Sequence, residues 1–190
     1  MSSKGLLVVC TGCAGVGKGT VIKQILKNEE SFKLSVSATT RSPRPGEQNG
    51  REYYFVTKDE FTSMVEQGEF LEHASYVGNF YGTPKRPVEK LLEQGCNVIL
   101  EIEVQGGVQV KKIYPDCVSI FIAPPSMQVL EDRLRGRGTE TEEVIKKRMK
   151  TAEGEMEYQS LYDYSVVNDV VERTADEIVS IVKTERDKRK

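Results

Sequence analysis

Apolar runs and amphipathic segments alternate along this chain of 190 residues. Three runs, at 6–11, 97–103 and 118–122, are almost entirely apolar, which is typical of strands buried on both faces of a parallel sheet. Shorter strands are predicted in more mixed segments, at 33–38, 52–56, 70–74, 76–77, 80–81 and 165–167. Helices are predicted between them, at 21–27, 57–67, 83–93, 108–114, 126–135, 141–158 and from 174 onward. This alternation predicts an α/β fold with a mainly parallel sheet.

Polar residues indicate where several of these helices begin. Thr57-x-x-Glu60 and Thr174-x-x-Glu177 match the capping box, in which a hydroxyl and a carboxylate accept hydrogen bonds from backbone N–H groups at a helix start. Thr83 is predicted to cap the third helix, because the proline that follows it is favoured at the first helical position. Ser126 is predicted to cap the helix after the third apolar run.

The first apolar run ends in a glycine-rich loop, and a predicted helix follows directly. Gly12, Gly17 and Lys18 match the phosphate-loop pattern G-x-x-x-x-G-K-[ST], although a glycine stands where serine or threonine is usual. Glycines let successive backbone N–H groups turn inward, and the helix N-terminus adds the positive end of its dipole. Lys18 would reach the β- and γ-phosphates of a nucleoside triphosphate. The expected triphosphate site comprises Gly12, Cys13, Ala14, Gly15, Val16, Gly17, Lys18, Gly19 and Thr20.

Acidic and basic residues nearly balance, with 29 Asp and Glu against 27 Lys and Arg. This balance argues against a nucleic-acid or membrane partner, so anionic ligands must be held by local clusters of arginine. No apolar run approaches the roughly 20 residues of a membrane span, and the N-terminus lacks the apolar core of a signal peptide. We therefore expect a single cytoplasmic domain.

Four cysteines occur, and two of them, Cys10 and Cys13, form an isolated C-x-x-C pair. Such a pair is found in zinc and redox sites, but no second ligand pair accompanies it, so we expect four free thiols in a reducing compartment. Cys13 lies beside the loop and the helix N-terminus, where a thiol can have a lowered pKa. We hypothesise from this that oxidation or alkylation of Cys13 blocks the loop.

The chain carries residues suited to phosphoryl transfer without a general base. A loop rich in proline and glycine holds Arg41 and Arg44, and guanidinium groups match phosphate oxygens in pairs. Glu101 and Glu103 end the second apolar run, at the sheet edge where doubly wound folds bind ligands. A monophosphate has a second pKa of about 6, so at neutral pH its oxygen is already largely ionised. Positioning and charge neutralisation are then sufficient for the reaction.

Eight segments of the chain together resemble the guanylate kinase family. They occur in the family's order and span essentially the whole chain, at 12–20, 37–47, 50–56, 78–84, 101–106, 122–126, 136–141 and 167–169. The resemblance implies a P-loop three-layer core at 1–36, 88–125 and 157–190, with a GMP-binding lobe at 37–87 and a helical lid over ATP at 126–156. It also implies transfer of the γ-phosphoryl group of ATP to GMP, and to dGMP, with Mg²⁺ as cofactor.

The resemblance also assigns roles residue by residue. The GMP site would use Ser37, Arg41, Arg44, Tyr53, Glu72, Tyr81, Thr83 and Glu103. Besides the phosphate loop, ATP would contact Arg133, Arg137 and Asn168. The catalytic residues would be Lys18, Arg41, Arg137 and Arg148, while Mg²⁺ would be held by Thr20 and, through water, by Glu101. Glu72 would accept hydrogen bonds from the guanine edge and Thr83 would donate to its O6/N7 side, which favours guanine because adenine lacks the N1–H donor.

Three positions depart from the family's pattern. Cys13-Ala14 replaces the usual Pro-Ser, Gly19 lacks a hydroxyl for magnesium, and Glu103 stands where aspartate is usual. We expect activity to be retained with an altered affinity for Mg²⁺ or ATP.

Three other functions stay open. Guanylate-kinase-like modules of scaffold proteins bind peptides without catalysis, although they usually lack an intact phosphate loop. A kinase for another monophosphate is the alternative among enzymes, and a P-loop GTPase is disfavoured because no Asn-Lys-x-Asp motif follows a strand. The oligomeric state is left open by these patterns.

Overall fold

The computed structural model describes residues 4–76, 78–136 and 141–189. Its strands are β1 (Leu7–Gly12), β2 (Phe32–Leu34), β3 (Ser37–Thr39), β4 (Tyr53–Phe55), β5 (Phe70–Tyr76), β6 (Asn79–Pro84), β7 (Asn97–Glu101), β8 (Val118–Ala123) and β9 (Tyr164–Val167). Its α-helices are α1 (Lys18–Asn28), α2 (Lys58–Glu66), α3 (Lys85–Glu93), α4 (Val104–Ile113), α5 (Met127–Gly136), α6 (Glu142–Met156) and α7 (Val171–Asp187). A short 3₁₀ helix (Glu157–Leu161) follows α6.

The central sheet has the strand order β2-β7-β1-β8-β9, and every neighbouring pair is parallel. Strands β1 and β8 are buried along their whole length, as the three apolar runs predict for a sheet covered on both faces. The predicted α/β class with a mainly parallel sheet is confirmed. Because parallel strands end at the same sheet edge, the ends of β1, β7, β8 and β9 bring the phosphate loop, Glu101 and Asn168 together.

A second, four-stranded sheet has the order β4-β3-β6-β5. Strands β3 and β4 pair in parallel, while β6 pairs antiparallel with both β3 and β5. Helix α2 packs on this sheet through Phe61, whose ring stacks on Phe70 at 4.6 Å between centroids. Contacts between α4 and β5 join the sheet to the central core, where Leu71 is buried. The two sheets therefore meet close to α4.

Several predicted element boundaries are wrong, beginning with those of β2, β3 and α4. The single strand expected at 33–38 is two strands, because β2 joins the central sheet while β3 joins the second one. Helix α4 begins at Val104 rather than at 108, and two glycines lie in its first turns. A Cβ on Gly107 would stand 2.4 Å from the hydroxyl of Tyr162, so this glycine permits close packing rather than a break in the helix.

The capping predictions have mixed outcomes. The box at Thr57 is confirmed, since its hydroxyl accepts from the Glu60 N–H at 3.2 Å and its own N–H donates to the Glu60 carboxylate at 2.7 Å. Ser126 also caps as expected, accepting from the Val129 N–H at 3.2 Å. Thr83 does not cap α3: it lies in β6, and Pro84 occupies the cap position.

The box predicted at Thr174 is also wrong. Helix α7 begins three residues earlier, at Val171, and Thr174 is fully buried within it. Its hydroxyl donates to the Val170 carbonyl at 2.9 Å, so the side chain bonds back along the helix instead of capping it. Among the residues that the structure describes, no helix is long and apolar enough to cross a membrane.

Candidate active site

The phosphate loop connects the buried strand β1 to helix α1. Gly12 and Gly17 have φ values of 145° and 96°, in a region of backbone conformation that residues with a side chain rarely adopt. A Cβ on Gly12 would stand 2.2 Å from the Ile122 carbonyl oxygen, and one on Gly17 would stand 2.7 Å from Nδ2 of Asn168. The close approach of β8 and of Asn168 therefore requires glycine at these two positions of the motif.

Asn168 and Arg133, both predicted at the ATP site, hydrogen-bond to the backbone of this loop. Asn168 is buried, and its Nδ2 donates to the Val16 carbonyl at 2.7 Å. Arg133 donates to the same carbonyl through Nη1 at 3.2 Å and to the Asn168 carbonyl through Nη2 at 2.8 Å. The end of β9, helix α5 and the loop are thus tied together by three hydrogen bonds, which fix the loop's backbone.

Lys18 and the carboxylate of Glu101 lie beside the loop. The Lys18 ammonium donates to the Gly12 carbonyl at 2.6 Å and to the Cys13 carbonyl at 3.4 Å. Desolvation raises the pKa of Glu101, while the charges of Lys18 and Lys23 oppose the rise and Glu103 adds to it. A Cβ on Gly19 would stand 3.3 Å from the Glu101 carboxylate, so a larger residue there would crowd this carboxylate.

The candidates for Mg²⁺ fit a metal that is carried mainly by the substrate. No group of three or more His, Cys, Asp or Glu residues within 4–76, 78–136 and 141–189 is placed to hold a metal ion. Mg²⁺ commonly binds through one or two carboxylates together with substrate phosphates and water. Glu101 ends β7 and the exposed Thr20 lies in the first turn of α1, so one carboxylate and one hydroxyl are available at this edge of the sheet for such an ion.

Helix α6 contributes a carboxylate to the loop that the sequence analysis did not identify. The Ala14 N–H donates to Oε2 of Glu155 at 3.2 Å, and the neighbouring Cys13 thiol donates to the Ala152 carbonyl at 3.5 Å. Desolvation raises the pKa of Glu155, an effect that the Ala14 hydrogen bond opposes. Ala14 and Glu155 are 141 positions apart in the chain, and no local sequence pattern connects them.

The expectation of a reactive Cys13 is wrong. This side chain is fully buried, and desolvation raises the pKa of its thiol to about 11 instead of lowering it. Glu155 adds to the increase, which outweighs the opposing charge of Lys18. Cys10 is likewise buried and its pKa is raised to about 12. All four cysteines are free.

A second cluster of predicted phosphate ligands lies in the four-stranded sheet. Arg41 packs its guanidinium 5.4 Å from the ring centroid of Tyr53, and the rings of Tyr53 and Tyr81 are 6.1 Å apart at a steep angle. Both oxygens of Glu47 accept from Nη2 of Arg41, at 2.9 and 3.0 Å, and these two side chains are only 16% and 17% exposed. Arg44 donates its backbone N–H to the same carboxylate at 2.8 Å, while its side chain is exposed. The structure therefore joins three of the four predicted phosphate ligands around one guanidinium.

The predicted base-binding residues form a buried pair. The Thr83 hydroxyl donates to Oε1 of Glu72 at 2.7 Å, and their exposed fractions are 0% and 8%. Desolvation raises the pKa of Glu72, and the nearby charge of Glu103 raises it further. Ser37 begins β3 on the same sheet and is half-buried, whereas Glu103 is exposed directly before α4. The Thr83 hydroxyl hydrogen is directed at Glu72 in this arrangement, and its donation to a base stays a prediction.

Electrostatics connect the two sets of residues. The charge of Glu103 acts on Glu72 in the second sheet and on Glu101 and Glu155 beside the loop. Glu101 in turn contributes to the raised pKa of Tyr53, which is due mainly to desolvation. The charges at the carboxyl end of β7 and just after it, on Glu101 and Glu103, therefore act on residues of both clusters.

Two further arginines are predicted to act on the phosphates. Arg148 is half-buried on α6. Arg137, predicted to contact ATP and the transferring group, belongs to 137–140 and lies outside the described residues.

Comparisons with known proteins agree over nearly the whole chain. The guanylate kinase family model matches residues 4–185. Guanylate kinase of Desulfitobacterium hafniense (strain Y51) is 52% identical over 182 residues, covering 96% of this chain and 91% of the relative. That of Lactococcus lactis subsp. lactis (strain IL1403) is 50% identical over 185 residues, covering 97% and 90%. The crystal structure of guanylate kinase from Anaplasma phagocytophilum matches with a TM-score of 0.77 at 37% identity, covering 97% of this chain and 87% of that one. This chain belongs to the guanylate kinase family.

Proposed function

We propose that this protein, as an ATP:GMP phosphotransferase, moves the γ-phosphoryl group of ATP to GMP, giving ADP and GDP, and that it also accepts dGMP. The observation that carries the proposal is the buried Glu72–Thr83 pair, in a chain that also has an intact phosphate loop. A buried carboxylate with one oxygen already hydrogen-bonded is a specific acceptor, since leaving its second oxygen without a donor is costly.

Guanine supplies the donors that this carboxylate lacks. Its N1–H and exocyclic amino group lie on one edge, and Oε2 of Glu72 is the oxygen not engaged by Thr83. Adenine presents no N1–H there, so it would leave the buried carboxylate poorly paired. We propose that Thr83 orients Glu72, and that Ser37 and Glu103 border the base.

The GMP phosphate would meet the cluster around Arg41. The ring of Tyr53 packs against the guanidinium, the ring of Tyr81 packs against Tyr53, and Arg44 extends an exposed side chain from the same loop as Arg41. An arginine fork and phenolic donors suit a dianionic phosphate, whose second pKa of about 6 leaves it ionised at neutral pH. No group on the protein has to remove a proton, so the site's task is to align the two phosphates and neutralise their charge.

On the ATP side, the loop N–H groups and Lys18 would hold the triphosphate, with Arg133 and Asn168 fixing the loop's backbone. We propose Arg137 and Arg148 as further cations for the transferring group. Mg²⁺, when bound, would neutralise phosphate charge, with Thr20 and Glu101 as its protein-side partners. The division into core, GMP-binding lobe at 37–87 and lid at 126–156 belongs to this proposal, and so does a cytoplasmic location.

The test is a coupled assay of ADP release with ATP and Mg²⁺, offering GMP, dGMP, AMP, CMP, UMP and dTMP in turn. We expect turnover with GMP and dGMP far above the others, loss of turnover in Lys18→Ala, and loss of base preference in Glu72→Ala. Lys27→Ala is the control for a charge on α1 outside the loop, and it should leave the rates unchanged. Preferred turnover with another base would overturn the specificity. GMP binding without turnover of any acceptor would favour a binding module.

A further inference from the structure

We infer that Glu155 is a positioning residue for ATP, which fastens helix α6 to the phosphate loop through the Ala14 N–H. The inference rests on the proposed function, because it assigns to the loop the binding of ATP phosphates. It concerns a residue that touches the loop's backbone and not the reacting atoms.

Two parallel hydrogen bonds form the connection. Consecutive loop residues, Cys13 and Ala14, donate to Ala152 and Glu155, at 3.5 and 3.2 Å. The two acceptors are three positions apart on α6 and therefore lie one turn apart on the same helix face. Helix α6 therefore holds the phosphate loop at two consecutive residues.

The carboxylate is built into its position. Ala152, one turn before it, is fully buried, so α6 cannot leave the loop without exposing part of the core. Glu155 itself is half-buried, with Lys18 attracting its charge and Glu103 repelling it. An ionised acceptor makes a stronger and shorter hydrogen bond than a neutral one, which suits a contact that must hold an N–H in one direction.

The same face of α6 carries Arg148. Glu155 is seven positions further along the helix, almost two full turns and about 10 Å of axial rise. Fastening α6 at Glu155 therefore also sets where the half-buried Arg148 stands relative to the loop. The hydrogen bond from Ala14 to Glu155 therefore helps to position both the loop and Arg148, a proposed phosphate ligand.

The experiment compares Glu155→Ala, Glu155→Gln and the control Glu153→Ala, which removes an exposed glutamate from the same helix. We expect Glu155→Ala to raise the KM for ATP about tenfold, the effect of one lost charge-assisted hydrogen bond, with the KM for GMP unchanged within about twofold. Glu155→Gln should restore most of the ATP affinity, because its amide oxygen can accept from Ala14. The control should match the unmodified protein.

Other outcomes contradict the inference. An unchanged KM for ATP in Glu155→Ala, or equal increases for ATP and GMP, would show that the contact does not position the ATP site. A lower KM for ATP would show that the carboxylate competes with phosphates. If Glu155→Ala does not fold, Glu155→Met fills the same space without a strong acceptor and replaces it. Direct titration of ATP binding tests the inference even if the unmodified protein shows no GMP-dependent turnover, an outcome that would overturn the proposed function alone.

Discussion

Replacing Gly106 by alanine tests how the structure places Glu72. Gly106 is buried in the first turn of α4, and a Cβ on it would stand 3.0 Å from Oε2 of Glu72 and 3.5 Å from its Cδ. The oxygen that it approaches is the one not bonded to Thr83. Because Gly106 has no side chain, the carboxylate of Glu72, the proposed acceptor for guanine, has room beside α4.

Two effects of Gly106→Ala have opposite signs. Alanine is favoured over glycine in a helix by about 0.5–1 kcal/mol, which corresponds to an increase in melting temperature of roughly 1–4 °C for a chain of this size. Against this, the Glu72 carboxylate must move by a few tenths of an ångström although it is buried and hydrogen-bonded. Misaligning a hydrogen bond to a charged group forfeits much of its roughly 1.5–3 kcal/mol, so we expect the KM for GMP to rise about tenfold with the KM for ATP unchanged.

The matched control is Gly154→Ala, because Gly154 is also helical but nothing lies within 4 Å of the added Cβ. It should raise the melting temperature and leave the KM for GMP unchanged. Thermal unfolding and the coupled assay with GMP and AMP measure both effects. If Gly106→Ala is stabilised yet keeps the original KM for GMP and its preference over AMP, then Glu72 does not bind the base and the reasoning fails.

Three further predictions concern two carboxylates and one thiol of the site. Burial raises the pKa of Glu72 above 4.5, so the folded state holds this proton more tightly and loses stability as the pH rises through the raised pKa. Glu72→Gln lacks this loss, so its free energy of unfolding should increase relative to that of the unmodified protein as the pH rises above 4.5. Denaturant titrations measure both stabilities, and curves that stay parallel with pH would contradict the prediction. Glu47→Gln weakens the charged contact that holds Arg41, so it should raise the KM for GMP several-fold and change the KM for ATP little. The coupled assay measures both constants, and Glu66→Gln, at an exposed glutamate, is the control. At pH 7.5 a thiol with a pKa of about 11 is thiolate in roughly one molecule in a thousand or fewer, so mass spectrometry should find the native protein unmodified at Cys13 by iodoacetamide, and rapid labelling there would refute the burial.

The middle of the central sheet could be predicted because β1, β7 and β8 are buried on both faces over almost their whole length. Strands such as β8 consist almost only of apolar residues, and a short apolar run between two amphipathic helices is typical of a buried parallel strand. The phosphate loop could be predicted equally well, because Gly12 and Gly17 belong to a recognisable motif. The structure shows why glycine is required there, since a Cβ at either position would stand too close to a neighbouring atom. The resemblance supplied expectations that periodicity does not, namely which arginines would meet which phosphate and which carboxylates would meet the base or Mg²⁺.

The wrong predictions share a cause in tertiary contacts. Thr83 has the local signature of a cap, yet its hydroxyl serves a carboxylate eleven positions earlier, on the neighbouring strand. Thr174 likewise matches a capping box but is buried within α7. A capping pattern records only which hydrogen bonds are available near a helix start, and a buried partner elsewhere in the fold can take the hydroxyl instead.

Two carboxylates of the site, Glu47 and Glu155, were not predicted, because the hydrogen bonds that place them become visible only in the folded chain. Their partners explain their presence. Glu47 holds Arg41, Glu155 holds the Ala14 N–H, and Glu72 accepts from Thr83. Each is thus engaged by a donor, so part of its negative charge is compensated locally, and what it contributes is the direction of that donor. Arginines attract phosphates from any orientation, whereas transfer between two phosphates requires one alignment, and in this site the glutamates are the groups that restrict how the donors point.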